Sequence, residues 1–163
     1  MAVDLGQIIP PLVRAKVDFI LIGGMAAILH GSARVTFDVD LVYSRTDENI
    51  ERLVTALAPH CPYLRDAPTK LPFSWDAKTI RSGLNFTLTT RLGDVDLFGA
   101  VAGGETYQDL LAHSFDVDAF GVRFKCIDLP TLIRIKEAAG RPKDREAVAE
   151  LRILLEESEK KQD

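Results

Sequence analysis

The stretch Gly23-Gly24-Met25-Ala26-Ala27-Ile28-Leu29-His30-Gly31-Ser32-Ala33-Arg34-Val35-Thr36-Phe37-Asp38-Val39-Asp40-Leu41 decides how this chain is read. It leaves one apolar run, Phe19-Ile20-Leu21-Ile22, and closes inside a second that carries Asp38 and Asp40. Aspartate is depleted in strands. Alternation along a strand puts both carboxylates on one face. Side by side, each disfavours the other's ionisation. A cation between them, or two, removes the conflict. The same pattern predicts a first strand over 18–22, buried on both faces, and a sharp turn at Gly23-Gly24. A short helix over 25–30 follows, with Gly31 at its C′ position, and then a second strand over 35–43.

Towards the N-terminus, residues 4–16 place Leu5, Ile8, Ile9, Leu12 and Val13 on one helical stripe. Pro10 and Pro11 interrupt it, so the helix either kinks there or begins at Pro10, where a first-turn proline is tolerated. Towards the C-terminus, Thr46 reads as the cap of a helix that buries Ile50, Leu53, Val54 and Leu57. Residues 60–75 hold three prolines and no clear period, which predicts loop with one short strand near Tyr63. A helical turn over 76–82 ends at Gly83. Strands over 85–90 and 94–98 flank an Arg91-Leu92-Gly93 turn, and the second carries Asp96. A helix over 105–113, a hairpin over 115–119 and 122–127, and an Asp128-capped helix to Ala139 follow. Gly140-Arg141-Pro142 breaks the chain before a last amphipathic helix over 143–157. Residues 1–157 thus read as one domain and 158–163 as a polar tail.

The 163 residues suffice for one core, and a 47% apolar, 27% charged composition is that of an ordinary globular protein. No apolar run approaches the roughly 20 residues of a membrane span, and no basic segment leads into an apolar one at the N-terminus. Cys61 and Cys126 are far apart, so they read as free thiols of a reducing compartment and the protein as cytoplasmic. The net charge of −4 argues against a non-specific nucleic-acid coat, yet leaves room for a local basic patch beside an acidic metal site.

Gly23-Gly24, thirteen intervening residues, Asp38-x-Asp40 and a later apolar-flanked Asp96 together resemble the motif of the nucleotidyltransferase fold superfamily, the polymerase-beta-like group. The spelling His30-Gly31, Arg34, Thr36, Asp38, Asp40-Leu41 is similar to one branch, small prokaryotic proteins related to the AbiEii and MenT nucleotidyltransferase toxins. Leu132-Ile133-x-x-Lys136-x-x-Ala139-x-Arg141-Pro142-Lys143-Asp144 resembles a second motif of that branch. The toxin relatives carry an added helical lobe for which this chain leaves little length.

The resemblance implies an α/β (α+β) fold with a short mixed sheet flanked by helices. It implies transfer of a nucleoside monophosphate from an NTP, ATP among the candidates, to a hydroxyl. The acceptor would be a tRNA 3′ end, a protein side chain or a small molecule such as an aminoglycoside, with an antitoxin as partner in a toxin–antitoxin pair. A non-catalytic nucleotide- or partner-binding module of the same fold is the alternative from another class. Asp38, Asp40 and Asp96 would hold magnesium, two ions in all, with Asp96 also taking the proton of the attacking hydroxyl. Gly23 and Gly24 would offer backbone N–H groups to the triphosphate. Arg34, Thr36 and Lys136 would complete the nucleotide site, and Arg141, Lys143 and Asp144 would contact acceptor or phosphate.

Plainer readings stand beside these. The aspartates could pair with Arg34 or a helix N-terminus, Asp94 could replace Asp96, and Gly23-Gly24 could be turn glycines only. His30 could be structural, and Phe73 and Trp75 could pack in the core rather than stack on a base.

Overall fold

A computed structural model of the chain describes residues 3–68 and 70–162. Strand β1 (Phe19–Ile22) is buried at every residue, as its unbroken apolar run predicts. It runs antiparallel to β2 (Asp38–Tyr43), with Ile22 opposite Asp40. The remaining strands are β3 (Tyr63–Leu64), β4 (Asn85–Thr90), β5 (Gly93–Phe98), β6 (Ser114–Ala119) and β7 (Val122–Ile127). Among the described residues they form one seven-stranded mixed sheet in the order β3-β4-β5-β2-β1-β7-β6. Parallel pairings of β2 with β5 and of β1 with β7 hold its middle together. The sheet is wider than the short one expected, because the β6–β7 hairpin docks through Ile20 and Leu21 onto Lys125 and Cys126.

Helix α1 (Leu5–Arg14) runs through Pro10 and Pro11, so it does not begin at Pro10. The Asp4 carboxylate caps it, accepting from the Gly6 N–H at 2.9 Å. An interior proline costs about 3 kcal/mol. Burying Leu5, Ile8, Ile9 and Leu12 returns about 1.5–3 kcal/mol each, which outweighs the loss. The first helix after β1 is α2 (Gly23–Leu29). Strand β2 begins only at Asp38, later than its apolar pattern suggested, because Val35 and Phe37 stand 74% and 62% exposed on the preceding loop.

Thr46 caps α3 (Asp47–Leu57) by accepting from the Asn49 N–H at 3.2 Å. The 60–75 segment is mostly irregular apart from β3, and α4 (Ala77–Ser82) follows its Asp76 cap. Helix α5 (Tyr107–Leu110) is shorter than expected and tightens into a 3₁₀ turn over Leu111–His113. Helix α6 (Leu129–Ala139) starts at Asp128 as predicted. The last helix, α7 (Pro142–Lys160), overruns its expected end at residue 157, so much of the expected tail is helical. Its Glu156 and Lys160 stand at the i, i+4 spacing that suits a polar helix.

Asn49 ties α3 to the strand ends. It is fully buried, accepts from the Asp18 N–H at 2.6 Å and donates to the carbonyls of Asp18 and Ser44 at 3.0 and 2.8 Å. Asn49→Ala leaves those groups without this partner, so denaturant unfolding should show a loss of about 2–4 kcal/mol. A loss under about 1 kcal/mol would mean water replaces the amide. Neither cysteine forms a disulfide, and burial pushes the Cys126 thiol up to about 12. Among the described residues no helix is long and apolar enough to cross a membrane.

Candidate active site

The parallel register of β2 and β5 sets Asp38 beside Asp94 and Asp40 beside Asp96. Two Asp-x-Asp motifs therefore line up across one pairing. Carboxylate oxygens of Asp38, Asp40 and Asp96 all lie within 4.8 Å of one another. At an effective dielectric near 20, two full charges at such a distance repel by about 3 kcal/mol. Asp40 bears the most strain: burial first, then the charges of Asp38 and Asp96, push its carboxyl up to about 8. Its Oδ1 is buried with no hydrogen-bond partner among the described residues. The Asp96 side chain is 17% exposed against 37% for Asp94, so the inner member of the second pair is the one expected. Burial raises the Asp96 carboxyl, and Arg65 pulls against it.

The two glycines serve this cluster directly. Gly23 has φ +69, and a Cβ there would lie 2.0 Å from Asp40 Oδ2. A Cβ on Gly24 would lie 2.8 Å from Thr36 Oγ1. Thr36 in turn donates to Asp38 Oδ1 at 3.2 Å. Helix α2 then closes on Gly31 at φ +108, with Gly31 N–H bonded to Ile28 O and Ser32 N–H to Ala27 O. His30 is structural: its Nε2 meets Ile127 O at 2.8 Å and its ring stands edge-on to Phe115.

A cleft of about 220 Å³ opens over the carboxylates. Gly24, Arg34 and Thr36 line one side, and Lys136, Arg141, Lys143 and Asp144 the other. Gly23 lies against Asp40 rather than on the open cleft. Arg34 does not pair with the acidic strand, since its Nη2 faces Glu146 at 3.7 Å. Burial lowers the Lys136 ammonium, opposed by the fields of Asp144 and Asp40. Asp144 is 3% exposed and holds Arg141, accepting from its Nε at 2.7 Å and its backbone N–H at 3.1 Å. It starts α7 rather than gripping Lys136. Phe73 and Trp75 pack away from the cleft, Phe73 edge-on to Tyr63 and Trp75 Nε1 donating to Val54 O at 3.0 Å.

The sequence reading missed two features. Glu150 of α7 accepts from Ser32 Oγ at 2.5 Å and from the Ala33 N–H at 3.3 Å, pinning the α2–β2 loop across the cleft. Arg65, just beyond β3, reaches across β4 to the carboxylates. Its Nη2 lies 2.7 Å from Asp96 Oδ1, its Nε 3.2 Å from Asp94 Oδ2 and its Nη1 3.8 Å from Asp38 Oδ2. No local pattern marks either residue. The only signal for Arg65 was a strand face carrying four carboxylates with no cation of its own.

No protein-family model and no curated protein matches the sequence. Solved structures do. The lincosamide antibiotic adenylyltransferase LnuA, in its lincomycin-bound crystal structure, superposes with a TM-score of 0.60 at 15% identity, over 92% of this chain and 95% of that one. A candidate nucleotidyltransferase from Thermotoga maritima, TM1012, superposes with a TM-score of 0.57 at 19% identity, over 94% and 91%. The fold of this chain is therefore the one these proteins share, a mixed sheet flanked by helices.

Proposed function

We propose that this chain is a nucleotidyltransferase, moving a nucleoside monophosphate from an NTP to a hydroxyl and releasing pyrophosphate. One observation carries the reading: oxygens of three carboxylates lie within 4.8 Å of one another, and Asp40, the most buried of the three, keeps an oxygen without a hydrogen-bond partner among the described residues. Such an all-oxygen set fits a hard divalent cation, and we take magnesium to be held by Asp38, Asp40 and Asp96. Bound there, the ion would neutralise charge on the transferring phosphate. Arg34 and Lys136 would bind phosphate oxygens from the walls, with the Gly24 backbone and Thr36 beside them. Asp96, whose carboxyl is raised by burial, would accept the proton of the attacking hydroxyl.

In this reading the acceptor is a tRNA 3′ end or a protein hydroxyl, and the protein is the cytoplasmic toxin of a toxin–antitoxin pair with an antitoxin as partner. The spelling from His30 to Leu41 and the 132–144 segment support that setting. Arg34, Lys136, Arg141 and Lys143 on the cleft walls support a polyanionic occupant. A second reading, a small-molecule acceptor, is favoured by the match to LnuA over nearly the whole of both chains.

The test incubates the protein with each α-phosphate-labelled NTP and magnesium. The acceptors are total tRNA, a protein lysate, a lincosamide and an aminoglycoside. Label should move to one class, and an Asp38→Ala Asp40→Ala variant should lose about a thousandfold or more in rate. Transfer that persists in the variant sinks the assignment. Label on an antibiotic alone selects the second reading.

A further inference from the structure

Among the described residues Arg65 is the one cation ion-paired with the aspartates of β2 and β5, and it touches three carboxylates at once. Its side chain is 18% exposed. The backbone fixes it as well as the charges do. Arg65 N–H donates to Thr87 O at 2.9 Å, and Nη2 also donates to Leu88 O at 2.8 Å. Thr87 is the residue of β4 paired with Asp96, so Arg65 is registered against Asp96 across one intervening strand. A guanidinium held at both ends of its side chain presents a fixed plane of donors, unlike a mobile surface arginine.

The charge balance follows. Asp38, Asp40, Asp94 and Asp96 crowd one paired region, and Arg65 answers the Asp94–Asp96–Asp38 side of it. Asp40 has no such ion pair, only the field of Lys136 across the cleft, and its Oδ1 is the unpartnered oxygen. One half of the cluster is thus neutralised by the protein itself, and the other half is left for a ligand.

We propose that the Arg65 guanidinium is the built-in second cation of this site, so that the triad takes one divalent ion, seated at Asp40, where a two-ion arrangement would otherwise form. The inference rests on the reading of Asp38, Asp40 and Asp96 as a metal site. Arg65 acts as a positioning residue. It bridges Asp38, Asp94 and Asp96, and supplies with its own charge the neutralisation a second ion would otherwise bring.

The test counts ions rather than turnover. Manganese binding is measured by electron paramagnetic resonance on the full chain, alone and with a non-hydrolysable NTP analogue, for the wild type, Arg65→Gln and Arg65→Lys. The wild type should bind one ion per chain in both conditions. Arg65→Gln should bind two, and Arg65→Lys, which keeps the charge, should stay at one. Circular dichroism checks that each variant folds. If Arg65→Gln does not fold, the wild-type count still decides, because two ions on the wild type overturn the proposal. An Arg65→Gln protein that folds and binds only one ion overturns it too. A wild type that binds no manganese overturns this inference together with the metal reading beneath it. Two ions on the wild type would leave that metal reading standing.

Discussion

Gly23→Ala should destabilise the protein by about 2–5 kcal/mol and abolish its thermal response to magnesium. Two independent costs combine. At φ +69 an alanine is strained by about 1–2 kcal/mol. Its Cβ would also lie 2.0 Å from Asp40 Oδ2, 2.7 Å from Cγ and 2.8 Å from Cβ, and inserting a methyl into so tight a contact costs about 1–3 kcal/mol. The clash is with the first atoms of a short side chain, so Asp40 must leave its place on β2 or α2 must lift from it. For a chain of this size, each kcal/mol lowers the melting temperature by about 2–4 °C, so the expected drop is about 4–20 °C. Gly24→Ala is the control. Its φ is not in the left-handed region and its Cβ would meet the Thr36 hydroxyl at 2.8 Å, so the drop should be smaller and the metal response weakened rather than lost. Calorimetry with and without magnesium reads both. A Gly23→Ala protein within about 1 kcal/mol of wild type that still responds to magnesium would show that the close approach of α2 to Asp40 is dispensable.

That same contact shows how far the sequence could be read. Asp38 and Asp40 on one face, with Asp96 on a later strand, followed from alternation and from the oddity of aspartate in apolar runs. Their convergence needed the parallel register of β2 on β5, which no local pattern encodes. Gly23-Gly24 was legible as a turn, and its use to admit Asp40 and Thr36 was not, because the partners lie twelve and more residues away. The caps at Thr46 and Asp128 were read well, since they act on N–H groups three residues on. The double proline in α1 left a late start open, because the deciding term is burial of a stripe that includes Pro10 itself, a tertiary quantity. Arg65 was invisible for the same reason: it stands in an irregular stretch and acts two strands away.

Asp40→Asn should make the metal-free protein more stable at neutral pH while abolishing its magnesium response and cutting nucleotidyl transfer about a thousandfold or more. Asp40 ionises near its ordinary value of 3.8 in the unfolded chain and near 8 in the folded one. Between those values the folded protein holds a proton that the unfolded chain has released. Raising the pH therefore favours the unfolded chain, and stability falls through the window from about 4 to about 8. The slope from this one group is at most about 1.4 kcal/mol per pH unit. Asparagine does not titrate, so the variant loses this slope and overtakes the wild type as pH rises. Its amide can also donate to the neighbouring carboxylates, which Asp40 does only while protonated. Magnesium should reverse the order for the wild type alone, because it favours the ionised carboxylate that burial opposes. Thermal melts at pH 5 and pH 8, with and without magnesium, carry the whole comparison. A variant less stable than wild type at both pH values would mean that Asp40 is held by favourable contacts rather than strained. A variant that keeps the magnesium shift would move the metal seat away from Asp40. The expected pattern makes Asp40 a residue retained against folding stability, for what it binds.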